Sequence, residues 1–245
     1  MVGDRVVSDG LRAWFDSYKG TGDGAPNLEA FPEPFLGDLF AQPRAVFLAL
    51  NPGPVAPPFQ YAGGSFVDEI KAMGSYTEWA SSWPYLREPW GYNRHHQTRL
   101  GFLRRWYADS TFSGKEMLAF ELYPWHSETL NSRFRWSAEA RYLVDRHVWQ
   151  PISAAGAEYV FGVGAPFERE FEALKMPILG LLGVGGEPVP FEKKRRVLVA
   201  QPARGVIALA MNNFNQAAPP NERDTKVLRN ALEERGWTPS WADHP

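Results

Sequence analysis

The chain has 245 residues, of which 44% are hydrophobic and 14% aromatic, and its formal net charge at pH 7 is -2. This length suits one large domain with a sizeable core. The charge excludes a protein that binds polyanions by bulk charge alone, although it permits a local basic face. The absence of cysteine excludes disulfides, a thiolate nucleophile and zinc–cysteine sites.

Apolar runs alternate along the chain with segments of helical spacing. Strands are predicted at 45–50, 117–123, 158–164, 197–200 and 206–211, and helices at 11–18, 66–73, 96–109, 138–156 (with a break or kink at Pro151), 166–174 and 223–236. Residues 51–93 hold many Gly, Pro and aromatic residues and are predicted to be mostly loop. We therefore expect an α/β fold, a three-layer α/β/α sandwich with a central, mainly parallel sheet.

The chain is expected to form a single domain over residues 1–245, with a helix and loop over 1–43. Its first residues lack the basic-then-apolar layout of a signal peptide. No apolar run approaches the ~20 residues that a membrane span needs. These patterns predict a cytoplasmic protein without membrane contact. We expect it to be a monomer.

Polar residues stand where three of the predicted strands end. Asn51 follows the first strand and opens the sequence Asn-Pro-Gly-Pro, and Glu121 lies near the end of the second. Met211-Asn212-Asn213 closes the last strand. Ligands of open parallel sheets bind beyond the carboxyl ends of the strands, so we predict that these residues share a pocket.

The segment "ALNPGP" resembles the first motif of the uracil-DNA glycosylase superfamily, most closely that of its single-strand-selective monofunctional branch. The resemblance covers roughly residues 45–235 and implies a DNA glycosylase without a cofactor. Further segments are similar to family segments in the same order: "RLGFLRRW", "MLAFELYPWHSETLN", "ISAAGAEYVFGVG" and "VIALAMNNFNQAAPPNERDTKVLRNAL".

Two departures from the family pattern bear on the substrate. Glu121 stands where the family has a base-reading asparagine, and Met211-Asn212-Asn213 stands where it has His-Pro-Ser. A methionine at that histidine position is shared with the mismatch-specific thymine-DNA glycosylase branch. Both departures argue against plain uracil as the substrate.

The residues suggest a cytosine derivative instead. The resemblance implies that Asn51 holds a water beneath the sugar carbon. A carboxylate at Glu121 would accept from the exocyclic amine of cytosine, and a protonated one would donate to N3. Excision of plain cytosine would destroy the cell's own genome, so we expect a bulky modification, such as the glycosylated hydroxymethylcytosine of some phage genomes. The expected role is antiphage defence at the nucleoid.

The remaining site residues are assigned by the resemblance or by their charge. Asn212 and His126 are expected to assist the leaving group, with His126 at the pocket rim. Base contacts are predicted for Phe59, Tyr61, Phe66, Met211 and Asn213, and DNA contacts for Pro52, Gly53, Phe214 (as a wedge), Asn215, Arg99, Arg104 and Arg105. The histidines show no metal-ligand spacing, so no metal is expected.

Blander interpretations stand beside these. Asn51 would be a turn residue, Glu121 a solvent-facing or arginine-paired glutamate, and the aromatic residues a core rich in large rings. At the level of function, the alternatives are a divergent uracil or mismatch repair glycosylase and a non-catalytic DNA-binding protein on the same fold.

Overall fold

The computed structural model describes residues 27, 29–87, 94–128, 145–192, 194–212 and 218–239. The strands are β1 (Phe35–Leu36), β2 (Ala45–Ala49), β3 (Met117–Glu121), β4 (Tyr159–Val163), β5 (Ile178–Gly183), β6 (Arg196–Ala203) and β7 (Val206–Asn212). The α-helices are α1 (Pro57–Gln60), α2 (Ser65–Met73), α3 (Tyr76–Ser81), α4 (Arg94–Tyr107), α5 (Gln150–Ala155), α6 (Ala165–Ala173) and α7 (Glu222–Glu234).

The strands form a seven-stranded sheet in the order β1-β3-β2-β4-β7-β6-β5. Its centre is parallel, because β4 pairs in parallel with both β2 and β7. The β1–β3, β5–β6 and β6–β7 pairs are antiparallel. The α/β class is therefore confirmed, with a mixed sheet. The β6–β7 pair has to be antiparallel, since only a turn at Arg204-Gly205 joins its strands and a parallel pair needs a long crossover.

The chain divides into two compact units. The first comprises Met1–Phe40, Ala49–Pro84 and Leu118–Ala154, and the second comprises Ala41–Leu48, Tyr85–Met117 and Ala155–Pro245. The core of the first unit is aromatic: the Trp79 ring lies 5.0 Å from that of Phe66 and 5.4 Å from that of Tyr76. In the second unit, Phe161 packs against Phe47 and Phe102 at 5.3 and 5.1 Å.

Most element predictions are confirmed within a few residues, and two are corrected. The segment 51–93, predicted to be mostly loop with a helix at 66–73, contains that helix as α2, and its described part also contains α1 and α3. Pro57 and Pro58 start α1, and the Ser75 hydroxyl caps α3 by accepting from the Glu78 N–H. The strands β1 and β5 were missed. The helix predicted at 11–18 lies outside the described residues.

The segment around Pro151 departs from a regular α-helix, which agrees with the predicted break or kink. A π-helical turn at Asp145–Trp149 runs directly into α5. Proline has no N–H to donate into the helix and crowds the preceding turn. A wider turn immediately before it accommodates both effects. The predicted N-terminal part of this helix, 138–144, lies outside the described residues.

Candidate active site

Two loops of the first unit run side by side beyond the strand ends. We call residues 50–56, which follow β2, the Asn51 loop, and residues 122–128, which follow β3, the His126 loop. Each loop begins where an apolar strand ends, and the two segments are joined by backbone hydrogen bonds. Backbone N–H groups of the His126 loop donate to carbonyls beside it: Leu122 to Ala49 at 2.8 Å, Tyr123 to Leu50 at 2.9 Å and Ser127 to Gly53 at 3.1 Å.

Asn51 is held by the neighbouring loop. Its Nδ2 donates to Ser127 Oγ at 3.0 Å and to the Ser127 carbonyl at 3.4 Å. Because the amide nitrogen makes both bonds, the orientation of the amide is fixed, and Oδ1 is kept as an acceptor. The residue is half-buried, so it remains reachable from solvent. A fixed acceptor of this kind can orient a water molecule.

Gly53 is needed for its backbone conformation. Its φ is +84°, and a Cβ placed there would meet nothing within 4 Å. The left-handed conformation, and not lack of space, therefore explains the glycine. The turn presents the Gly53 carbonyl to the His126 loop, where it accepts from the Ser127 N–H and from His126 Nδ1 at 3.2 Å.

His126 is buried, with 1% of its surface exposed. A carbonyl oxygen only accepts, so the contact with Gly53 assigns a proton to Nδ1. The other ring nitrogen, Nε2, lies 3.4 Å from Glu33 Oε1. The predicted place at the pocket rim is thus corrected: both nitrogens face groups inside the unit. The sequence did not reveal this because a histidine after Tyr-Pro-Trp fits a rim and a core equally well.

Glu33 and Gln60 are site residues that the sequence did not reveal. Gln60 Nε2 donates to Glu33 Oε1 at 2.9 Å, and Gln60 Oε1 accepts from the Ala56 N–H at 2.7 Å. The Glu33 N–H donates to the Pro124 carbonyl at 2.7 Å. Both side chains are buried, so the chain Gln60–Glu33–His126 links the two loops from within. In the sequence, a glutamate within the apolar, proline-rich segment "AFPEPF" could have indicated a buried carboxylate.

Glu121 is the last residue of β3 and is 8% exposed. Its N–H donates to the Pro34 carbonyl at 3.0 Å. The charge of Glu121 affects the neighbouring Tyr76. Burial raises the pKa of the Tyr76 phenol, and the charges of Glu33 and Glu121 raise it further. The Tyr76 hydroxyl donates to the Phe35 carbonyl at 2.6 Å. The interior beside the strand ends is therefore acidic, which favours ligands with donor groups over anions.

The three predicted aromatic contacts have different environments. Phe66 is fully buried and packs edge-on against Trp79, so it belongs to the core in this structure and its predicted stacking on a base is corrected. Phe59 and Tyr61 are half-buried. The Tyr61 hydroxyl accepts from Asn27 Nδ2 at 3.0 Å. These two rings remain candidates for stacking on a ligand.

Four further predicted positions lie at strand ends, namely Met211 and Asn212 in the second unit and Pro52 and Gly53 in the first. Met211 is fully buried and Asn212 half-buried at the end of β7, as expected for residues that close a strand. Pro52 and Gly53, in the first unit, are half-buried. The predicted contacts of Asn213, Phe214 and Asn215 lie outside the described residues.

The basic helix α4 is divided between core and surface. Arg99 is 2% exposed, and its guanidinium lies 5.6 Å from the centre of the Phe47 ring. Its predicted phosphate contact is therefore wrong for this structure: Arg99 shares a helix face with the buried Leu103 and Trp106. Arg104 and Arg105 are exposed, and Arg104 Nε also donates to the Phe112 carbonyl at 3.0 Å.

No protein-family model and no curated protein matches the sequence. Among the described residues, histidine, aspartate and glutamate side chains do not gather in threes as a metal site would require. Within the same residues, no helix has both the length and the apolar character to cross a membrane.

Proposed function

We propose that the protein is a monofunctional DNA glycosylase of the uracil-DNA glycosylase type, built as a three-layer α/β/α sandwich, that excises a modified cytosine from DNA. The observation that carries the proposal is the position and fixed orientation of the Asn51 side-chain amide. A half-buried amide stands just beyond a buried strand of an α/β sheet, and two bonds to Ser127 fix its orientation. This is the place where such sheets bind ligands.

The chemistry needs a positioned water and a stabilised leaving group. The bond between the sugar C1′ and the base nitrogen breaks, and the base leaves with the bonding electron pair. Water adds to C1′, and the proton that it loses ends on the departed base. Asn51 Oδ1 orients that water. An amide is a poor base, so its contribution is positional, and the rate depends mainly on how well the departing base is stabilised. The proposed reaction leaves an abasic site and no covalent enzyme intermediate.

The acidic interior supports cytosine over uracil. A carboxylate at Glu121 accepts from the exocyclic amine of cytosine but repels a uracil carbonyl. A protonated Glu121 donates to N3 and makes the base a better leaving group. A base reader at this position needs only a small exposed surface, since a flipped base is enclosed by its pocket. The charge of Glu121 already reaches the neighbouring Tyr76.

Other groups have supporting roles in the proposal. Arg104 and Arg105 on α4 contact phosphates, which makes binding depend on salt. Phe59 or Tyr61 stacks on the departing base. His126 positions the Asn51 loop through Gly53 and does not touch the substrate. A monomer acting at the nucleoid on phage DNA with modified cytosines would create abasic sites that halt replication of that DNA.

The test uses two DNAs, one carrying uracil and one carrying glucosylated hydroxymethylcytosine. Each is incubated with the protein, treated with alkali to break abasic sites, and resolved on a gel. We expect breaks only in the modified DNA, and Glu121→Asn should reduce them. Breaks confined to uracil DNA would instead identify a divergent repair enzyme. DNA binding without breaks in either substrate would identify a non-catalytic DNA-binding protein and refute the proposal.

A further inference from the structure

A cavity of about 510 Å³ lies within the first unit, between the segment 29–31 and residues 60–67. This volume is in the usual range of small-molecule sites. We infer that the cavity is a subsite for a neutral, hydroxyl-rich ring of hexose size, namely the substituent carried by the excised base. The inference rests on the proposed function for the identity of the substrate. It assigns the residues that line the cavity, Tyr61 among them, to the substituent, which leaves Phe59 to stack on the base.

The wall chemistry suits a sugar ring. Phe31 and Tyr61 contribute aromatic rings, and Ala30, Ala62 and Val67 contribute apolar surface. A hexose has apolar C–H faces that pack on such surfaces and hydroxyls that need polar partners at the edge. The Tyr61 hydroxyl already accepts from Asn27, so its own hydrogen is available for donation.

The charge of the wall disfavours an anion. The charged side chain in the described lining is the carboxylate of Glu29, which is exposed and can accept from sugar hydroxyls. A second carboxylate, Glu33, lies behind the wall, bonded to Gln60. A phosphate or a nucleotide backbone would be repelled by both. The cavity therefore favours a neutral polyol over the phosphates of the DNA itself.

The cavity is preformed, because its two walls are bonded to each other. The Phe31 N–H donates to the Gln60 carbonyl at 3.3 Å, and Ala30 and Tyr61 form an antiparallel bridge. Preformed walls reduce the entropy that a ligand must overcome on binding. A mobile surface loop would not have this property.

The Gln60 side chain connects the cavity to the Asn51 loop. Gln60 lines the cavity, and its Nε2 donates to Glu33, which lies beside His126 Nε2. His126 in turn donates to Gly53, in the loop that carries Asn51. A substituent held in the cavity is thus positioned by the framework that positions Asn51. This arrangement would make excision depend on the modification, since binding energy from a remote group of the substrate can be used to orient the reacting group.

The experiment fills the cavity with Ala62→Phe and compares it with Ala72→Phe, the same change at an exposed position of α2 that does not line the cavity. The probes are methyl glucoside and 2′-deoxycytidine, with binding followed by saturation-transfer NMR. We expect methyl glucoside to bind the wild-type protein and Ala72→Phe, and to be lost in Ala62→Phe. Base release from glucosylated DNA should fall about tenfold or more in Ala62→Phe alone. If Ala62→Phe does not fold, Tyr61→Phe is tested in its place. This variant keeps the ring and loses the hydroxyl, so the saturation-transfer signal of methyl glucoside should be weaker than with the wild type.

The outcomes separate this inference from the proposed function. If the wild type releases no base but binds methyl glucoside in a manner that Ala62→Phe abolishes, the cavity is a sugar site and the proposed reaction is wrong. If Ala62→Phe keeps full base release, the reaction stands and the inference fails. Loss of deoxycytidine binding in place of glucoside binding would show that the cavity takes the base, which overturns the inference. Absence of glucoside binding by the wild type overturns it as well.

Discussion

The two units bury polar side chains in different ways. In the second unit, Arg195 and Asp224 form a buried ion pair, and Asp224 Oδ1 accepts from the Glu192 N–H at 3.2 Å. In the first unit, Glu33 accepts from Gln60 and lies 3.4 Å from His126, whose other ring nitrogen bonds the Gly53 carbonyl in a loop beyond the strands. The first arrangement fixes a helix, since Asp224 lies in the first turn of α7.

This difference indicates where chemistry can occur. A buried ion pair whose partners lie deep in a unit specifies packing and offers nothing to a ligand. A polar chain that holds two strand-end loops leaves one of its neighbours, Asn51, half-buried and reachable. Functional residues are concentrated on loops positioned by a rigid scaffold. Four substitutions test this difference between the units, and their expected effects decrease from Asp224 to His96.

Asp224→Ala should have the largest effect on stability. Removing one partner of a buried ion pair lowers the free energy of unfolding by about 3–5 kcal/mol. Urea denaturation followed by fluorescence measures it. The matched control is Glu233→Ala, which removes an exposed carboxylate 3.6 Å from Arg229 and should change the unfolding free energy by less than about 1 kcal/mol. Equal effects of the two substitutions would show that Asp224 does not serve as a buried anchor.

Glu33→Ala should come next. It removes the acceptor of the Gln60 amide and the carboxylate beside His126, and buried polar groups left without partners cost about 2–3 kcal/mol in total. Glu33→Gln keeps the shape and an acceptor, so it should restore most of the unfolding free energy. If Glu33→Gln were as destabilised as Glu33→Ala, the charge of Glu33, and not its hydrogen bonding, would hold the loops.

Gly53→Ala tests the Asn51 loop separately from its bonds. The methyl group meets no atom, so the expected loss of about 1–2 kcal/mol reflects only the left-handed conformation. Gly185→Ala is a matched control, with a φ of +81° and no atom within 4 Å of the added Cβ. Thermal unfolding should give similar losses for both variants, whereas base release should fall only in Gly53→Ala. Equal activity of the two variants would contradict a functional role for the loop.

His96 should give the smallest effect, seen as a pH dependence. The buried ring stacks on Tyr85 at 5.2 Å, and burial, followed by the charge of Arg99, lowers its pKa well below 6.5. The unfolded chain therefore binds a proton that the folded protein does not, and stability is lost as the pH falls below about 6.5. The loss between about pH 6.5 and about pH 5.5 amounts to about 1 kcal/mol.

His96→Phe keeps a ring at this position and should remove that loss, as measured by urea denaturation at both pH values. His95→Phe is the control. Arg99 also lowers the pKa of His95, but His95 is exposed, so solvent screens the interaction. The pH dependence of the unfolding free energy should therefore change less in His95→Phe than in His96→Phe. If the unfolding free energy of His96→Phe still fell between the two pH values, the titrating group would be a different residue.

The sequence predicted those features that local pattern determines. The mainly apolar runs of β2, β3 and β4 correctly predicted buried strands, and Asn51 was placed at a strand end. The edge strand β5 was missed because its sequence, "ILGLLG", contains two glycines and lies at the edge of the sheet, beside β6.

The sequence did not determine which charged or aromatic residues are buried. The spacing of Arg99 with Leu103 and Trp106 indicated the buried face of α4, and this signal was outweighed by the apparent basic patch. Phe66 lies in a pattern that suits a core or a ligand wall equally. Glu33 and Gln60 have no motif at all, because their role arises from contacts between segments that are distant in the chain.

The most direct test of the central claim is single-turnover base release from an oligonucleotide that carries one glucosylated hydroxymethylcytosine. It compares Asn51→Ala with Asn230→Ala, an exposed asparagine on α7. We predict that Asn51→Ala lowers the rate by about 100-fold or more, because the water is no longer positioned. Its unfolding free energy should fall by only about 1 kcal/mol, and Asn230→Ala should match the wild type. Release by Asn51→Ala at the wild-type rate would contradict the assignment of chemistry to the Asn51 loop.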